Sequence, residues 1–161
     1  MVDFKKILFP IHLSELSPKV APYVRTMAEK FDAEIHLLHV AREFNHYIGV
    51  YVVEDSETRF KKLVNNLEKE ISTGAKERLL EFEKKYFDDY PKMKITVVSG
   101  NIYEEILRYG ESESIDLIIM GTYRRKFAGD RFIFGAVAEK VAELSTIPVM
   151  LVKNAQEPAR G

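Results

Sequence analysis

Apolar residues follow two alternating patterns along this chain. Short, nearly continuous apolar runs are typical of strands buried on both faces, whereas apolar positions three or four residues apart are typical of amphipathic helices. Because proline cannot donate to a strand ladder, Pro10 is expected to end the first run. Five runs are predicted to be strands, at Lys6–Ile11, Glu34–Val40, Lys94–Ser99, Asp116–Gly121 and Pro148–Val152.

The intervals between these runs show helical spacing, apart from an irregular stretch at 41–57. In the first interval, Pro22 is expected to delay regular helix to about that residue, since an interior proline costs roughly 3 kcal/mol. A long helix is predicted from Thr58, with a kink at Ser72–Gly74. The other predicted helices are Ile102–Ser112 and Gly135–Leu144.

This order of elements predicts the fold class α/β, with an open parallel five-stranded sheet covered by helices on both faces. A chain of 161 residues fits a single domain, which we place at residues 1–153. The remaining residues, 154–161, are polar and are expected to form a disordered tail.

Composition narrows the classes of partner and cofactor. Lys plus Arg number 24 and Asp plus Glu number 25, so the net charge of −1 gives no general attraction to nucleic acid or to anionic membranes. The lack of cysteine excludes disulfides, thiol catalysis and Cys-based metal sites. The N-terminal apolar run is too short and interrupted for an export signal or a membrane span, so a cytoplasmic location is expected.

Candidate metal-binding and catalytic side chains do not form a set. His36 and His39 are three positions apart on a predicted strand, so they point to opposite faces and cannot chelate together. His12 and His39 both lie near strand ends, but no carboxylate is placed to complete a metal site with them. The chain also lacks the motifs of a nucleophile elbow and of a P-loop. We therefore predict no metal and no catalytic residue.

In an open parallel sheet, ligands bind beyond the carboxyl ends of the strands, where the winding direction reverses. The last helix begins in the same region, and its free N–H groups and positive dipole end suit an anion. The predicted binding residues lie at three strand ends, in the loop after the fourth strand and at the start of the last helix: Pro10, Ile11, His12, Val40, Met120, Gly121, Arg124, Arg125, Gly135, Ala136 and Val137.

Six segments in order give the chain a resemblance to a known family. They read ILFPIHLSELS, LLHV, VSGNIYEEIL, DLIIMGTYRRK, FGAVAEKV and PVMLVK. Together they resemble the universal stress protein family. The resemblance implies a sheet order of 3-2-1-4-5, as in other adenine nucleotide alpha hydrolase-like domains. It also implies ATP or another adenine nucleotide as ligand in many members, and often a homodimer formed through the last strand, here Val149 to Val152.

Nucleotide-binding members of that family carry a Gly-x-x-Gly pair, nine further residues, and then Gly followed by Ser or Thr. Gly121 matches the first glycine, but Arg124 stands where the second should be. Gly135 matches the third with one residue of extra spacing, and Ala136 replaces the hydroxyl residue. His12 stands where members usually have an acid. The resemblance thus implies a regulatory or binding module with a degenerate nucleotide site.

Two alternatives remain open from the same residues. Arg124, Arg125 and Lys126 form a basic run that could clamp a phosphate in place of the lost contacts, because guanidinium binds phosphate well. The chain would then be an ATP- or AMP-binding switch, or would hold another small phosphorylated ligand. Slow nucleotide hydrolysis on the same fold is the second alternative. The simpler interpretation is that the basic run is only a solvated loop.

Overall fold

We describe the fold from a computed structural model of the chain. It describes residues 1–12, 16–41, 57–123, 125–127, 131–133 and 135–154. The strands are β1 (Lys6–Pro10), β2 (Glu34–Ala41), β3 (Met93–Ser99), β4 (Leu117–Tyr123), β5 (Arg125–Phe127), β6 (Arg131–Ile133) and β7 (Val149–Asn154). The helices are α1 (Leu16–Phe31), α2 (Glu57–Phe87), α3 (Ile102–Ser112) and α4 (Ala136–Leu144).

Five of the strands form one parallel sheet in the order β3-β2-β1-β4-β7. This confirms the predicted fold class and the predicted order of the strands. Since the order turns outward in both directions from β1, the winding reverses between β1 and β4. The carboxyl ends of these two strands therefore mark the edge where a ligand site is expected.

Each face of the sheet is covered by its own apolar layer. On one face, Phe9 and Leu37 pack with residues of α1 and α2, including Val24 and Leu79. On the other face, the layer joins β-strand side chains to α3 and α4. Burial on both faces explains why the strands are continuous apolar runs.

The first helix begins earlier than predicted. We expected Pro22 to delay regular helix, but α1 runs from Leu16 and includes Pro22. Its early turns bury Val20 and Ala21 against the sheet, and this packing offsets the loss of one backbone hydrogen bond. Tertiary contacts thus override the local cost of the proline.

The long helix and the strand ends also differ from the prediction. The helix α2 continues through Gly74 without interruption. The last strand extends to Asn154, so the predicted polar tail contributes its first residue to the sheet. The rest of that tail lies outside the described residues, as does most of the irregular stretch at 41–57.

A short antiparallel hairpin, not predicted from the sequence, follows β4. Its strands β5 and β6 pair Arg125 with Ile133, Lys126 with Phe132 and Phe127 with Arg131. Runs of three residues are too short to show a strand period, which is why the pattern did not reveal it.

Within the described residues, no helix has both the length and the apolar character needed to cross a bilayer.

Candidate functional site

The end of β1 is held by backbone and side-chain contacts to β2. The Ile11 N–H donates to the Leu38 carbonyl at 2.8 Å, which continues the ladder one residue past β1. The Ile11 carbonyl lies 3.2 Å from Nδ1 of His39, so the imidazole donates to it from the end of β2. Pro10 ends the strand, and His12 is exposed just beyond it. These contacts fix the backbone on which His12 is carried.

The neighbouring strand ends close the same edge. Val40 is buried in the apolar layer beneath α3 and α4. The Gly100 N–H donates to the Ala41 carbonyl at 2.9 Å, which ties the turn after β3 to the end of β2. Val40 therefore presents backbone rather than side chain to a ligand at this edge.

Gly121 lies inside β4 rather than at its end, where the sequence pattern predicts it. It pairs with Val152 of β7, and the strand continues for two residues to Tyr123. Met120 before it is buried in the apolar layer, and Thr122 after it is 1% exposed. Arg124 lies outside the described residues, and Arg125 is the first residue of the β5–β6 hairpin.

The start of α4 meets the end of β4 through one hydrogen bond. Gly135 is the residue that caps α4, and its N–H donates to the Thr122 hydroxyl at 3.4 Å. Gly135 has no side chain with which to cap the helix, Ala136 is exposed, and Val137 is half-buried. Among the positions predicted from the sequence, the structure thus brings the carboxyl end of β4 and the start of α4 together.

Sequence reasoning missed two side chains that shape this edge. Thr122 is the acceptor for the Gly135 N–H, and His39 holds the Ile11 carbonyl. In the sequence, Thr122 is marked only by its place after Gly121, and its hydrogen-bond partner Gly135 is 13 positions away. The sequence offers His39 as a candidate metal ligand, whereas its Nδ1 atom contacts the Ile11 carbonyl. Among the described residues, no three His, Asp or Glu side chains are grouped so that they could hold a metal.

The geometry defines a cleft edge, but it does not test the assignment of nucleotide-binding residues, which stays a prediction. The edge is built from the ends of β1, β2 and β4 and from the start of α4. Backbone N–H groups at the start of α4 are donors here. His12 and His39 lie near the ends of β1 and β2, and Lys153 of β7 is aligned with Thr122. Such an edge can bind an anion with the N–H groups that the fold leaves unbonded at the start of α4.

Comparison with known proteins identifies the relatives of this fold. The chain is 31% identical to the universal stress protein MJ0577 of Methanocaldococcus jannaschii, with 95% of this chain and 97% of that protein covered. A structure of MJ0577 superposes with a TM-score of 0.76 at 28% identity, covering 97% of this chain and all of that one.

Two further relatives extend the comparison. Universal stress protein YxiE of Bacillus subtilis is 29% identical, with 93% of this chain and 99% of that protein covered. A universal stress protein in complex with cAMP shares the fold at 14% identity, with a TM-score of 0.57 and 94% and 98% of the two chains covered. The model of the universal stress protein family matches residues 3–153. The chain therefore belongs to the universal stress protein family.

Proposed function

We propose that this protein is a homodimeric regulatory or binding module whose adenine-nucleotide site is degenerate. It acts through partners or through occupancy of its cleft, and not through turnover. The observation that carries this proposal is that both glycines remaining from the motif have a structural role in the fold. Gly121 is paired within the sheet, and Gly135 donates its N–H to Thr122.

A phosphate loop needs free backbone N–H groups and a backbone that can approach the ligand closely. Gly121 lies between Met120 and Thr122, whose backbone groups face β7, so its backbone cannot wrap around a phosphate without disturbing that ladder. The Gly135 N–H already has an acceptor within the protein. The described residues therefore fit a phosphate poorly at both glycines.

The side chains that should complete the site are also replaced. Ala136 is exposed at the start of α4 and has no hydroxyl to donate. His12 has replaced a carboxylate, and Arg124 a glycine. At about 0.5–1.5 kcal/mol for each hydrogen bond, losing three such contacts weakens binding by roughly 10- to 2,000-fold.

One observation favours the alternative of an arginine clamp. The β5–β6 hairpin lies directly between β4 and α4 in the chain and carries Arg125, Lys126 and Arg131. Three cations this close in the chain to the start of α4 could hold a phosphorylated ligand by side chains instead of by backbone. In that case, replacing Arg124 by Ala should weaken ATP binding, and an unchanged affinity would reject the clamp.

Restoring the motif tests the degenerate-site proposal. The double variant Arg124→Gly, Ala136→Ser returns a glycine and a hydroxyl to the positions where nucleotide-binding members have them. We expect it to bind ATP roughly 2- to 160-fold more tightly than the parent chain, since one or two hydrogen bonds are regained. The measurement is isothermal titration calorimetry with ATP, AMP and cAMP.

The matched control for restoration is Arg125→Gly, Ala136→Ser, which removes one cation equally but places the glycine outside the motif. If the control gains as much affinity as the restored variant, the gain does not come from the glycine at position 124. If the parent chain already binds as tightly as the restored variant, the site is not degenerate and the proposal is wrong.

A further inference from the structure

Four hydrogen-bonded polar side chains, which we call the His36 chain, cross the interface between the sheet and α3. They are Glu34 and His36 of β2, Thr96 of β3 and Tyr109 of α3. Nε2 of His36 is 2.5 Å from a carboxylate oxygen of Glu34, and Nδ1 is 2.8 Å from the Tyr109 hydroxyl. That hydroxyl lies 3.2 Å from Oγ1 of Thr96. The His36 ring is fully buried, so a titratable group sits inside the core.

The His36 chain is remote from the candidate nucleotide site. His36 is the third residue of β2, whereas that site lies beyond the other end of the strand, after Ala41. At about 3.3 Å per residue, the five intervening steps span roughly 16 Å. The proposed degenerate cleft therefore gives no role to these four side chains.

The hydrogen bonds of the His36 chain have one consistent direction when the ring is neutral. A carboxylate can only accept, so Nε2 carries the proton and donates to Glu34. Nδ1 must then accept from the Tyr109 hydroxyl, which in turn accepts from Thr96. Every group in the chain is satisfied in this arrangement.

A second proton on His36 would reverse the direction of two hydrogen bonds in the His36 chain. Nδ1 would become a donor to Tyr109, so the Tyr109 hydroxyl would have to donate to Thr96. The Thr96 hydroxyl would then lose the acceptor it has in the neutral arrangement. The second proton would bind at Nδ1, the nitrogen that faces Tyr109, while Nε2–H keeps its bond to Glu34.

The charged groups around His36 come from each neighbouring element. On β1, Lys6 is aligned with Glu34 and donates through Nζ to the Glu113 carbonyl at 3.0 Å. On β3, Lys94 is aligned with His36 and forms a 2.9 Å ion pair with Glu113 at the end of α3. On its own strand, His36 faces Glu34. A positive ring would therefore be repelled by two lysines and attracted by two glutamates.

Burial is the largest influence on His36 and lowers its pKa below the ordinary value of 6.5. The hydrogen bond and charge of Glu34 act in the opposite direction, and Lys94 adds to the lowering. The neutral ring is thus the state that the folded protein favours near neutral pH.

We propose that the His36 chain is a proton-binding site through which acidification loosens the attachment of α3 to the sheet. Tyr109 lies in the same apolar layer as Ile106 of α3 and as Ala138 and Val141 of α4. Loosening α3 therefore reaches α4, whose first residues form part of the cleft edge. The proposal does not depend on whether the cleft binds a nucleotide.

The expected pH dependence follows from the lowered pKa. Above about pH 6.5 the ring is neutral in both folded and unfolded chains, so the contribution to stability is fully present. As the pH falls below that value, the unfolded chain takes up protons before the folded one, and stability is lost until the folded pKa is passed.

Nitrogen-15 NMR of the histidine rings in the full chain tests the proposal directly. The chain has four histidines, and the His36 signal is assigned by its loss in His36→Gln. We expect the Nε2–H form at neutral pH, a titration midpoint below 6.5, and a several-fold rise in amide exchange across α3 as the ring titrates. In Glu34→Gln, which keeps an acceptor but removes the charge, the midpoint should move lower still.

Three results would overturn the proposal: a midpoint at or above 6.5, an Nδ1–H form at neutral pH, or unchanged α3 exchange through the titration. Thermal melts supply a second readout. Between about pH 6.5 and pH 5 the parent chain should lose melting temperature, while His36→Gln should lose clearly less. Equal losses in the two proteins would contradict a role for His36, and the NMR titration stands even if the variant does not fold.

Discussion

Thr122 shows how one buried side chain limits what a neighbouring glycine can bind. Its hydroxyl accepts the N–H of Gly135, the residue that precedes α4. An anion at this helix start would have to compete with that hydroxyl for the N–H group. The loss of motif residues and the internal hydrogen bond therefore both weaken anion binding at this helix start.

Replacing Thr122 by Val removes the hydroxyl and keeps the shape of the side chain. Because the Gly135 N–H loses its acceptor, we expect a loss of about 1 kcal/mol in the free energy of unfolding and faster exchange of the Gly135 amide proton. Denaturant unfolding and amide exchange by NMR measure these effects.

Thr122→Ser serves as the control for this bond. It keeps the hydroxyl but deletes a buried methyl group, so it also costs roughly 1 kcal/mol. Its Gly135 amide should exchange as slowly as in the parent chain. Equal acceleration in both variants would show that the hydroxyl does not hold the start of α4.

At the scale of elements, glycines in two helices test how tightly each helix packs. A Cβ at Gly74 of α2 would meet no atom within 4 Å, whereas a Cβ at Gly110 of α3 would lie 2.9 Å from Cδ1 of Ile147. Gly110 is buried and Gly74 is half-buried. The close approach of α3 to the segment after α4 therefore depends on a missing side chain.

Alanine should stabilise the chain less at Gly110 than at Gly74. Gly74→Ala should raise the free energy of unfolding by about 0.5–1 kcal/mol, because alanine is the better helix former. Gly110→Ala has the same helix preference, but the terminal methyl group of half-buried Ile147 must move aside, so the gain should be smaller than at Gly74. Chemical denaturation of both variants measures the two changes, and an equal gain in both would contradict the close approach of α3.

The order of elements was predictable because it depends on periodicity, which is a local property. The continuous runs of the parallel strands and the spacing in α3 placed those elements within a few residues. The predicted start of α1 was wrong because burial of Val20 and Ala21 outweighs the local cost of Pro22. The hairpin and the Thr122–Gly135 bond were missed because each depends on contacts that no local pattern encodes.

At the scale of the whole molecule, the strand order places β7 at one end of the sheet. The Ile118 N–H donates to the Pro148 carbonyl at 2.9 Å, so alternate residues of β7 direct their backbone groups towards β4. By this alternation, Leu151 directs its N–H away from β4. We propose that this side of β7, from Val149 to Val152, forms the homodimer interface.

A proline at Leu151 tests that interface while leaving the ladder to β4 intact. If the dimer forms through β7, sedimentation should give about twice the chain mass of 18.6 kDa for the parent protein and a monomer for Leu151→Pro. Leu151→Ala, which shortens the side chain but keeps the N–H, should remain a dimer. A dimeric Leu151→Pro with native circular dichroism would place the interface elsewhere.

The central claim is that the fold of this family is retained while its nucleotide cleft is impaired. Calorimetric titration of the parent chain with ATP, with and without magnesium, tests it most directly. We expect no saturable binding in the micromolar range, because Gly121 is held within a paired strand, the Gly135 N–H has an acceptor within the protein and the hydroxyl is absent. Saturable micromolar binding of ATP would contradict the claim.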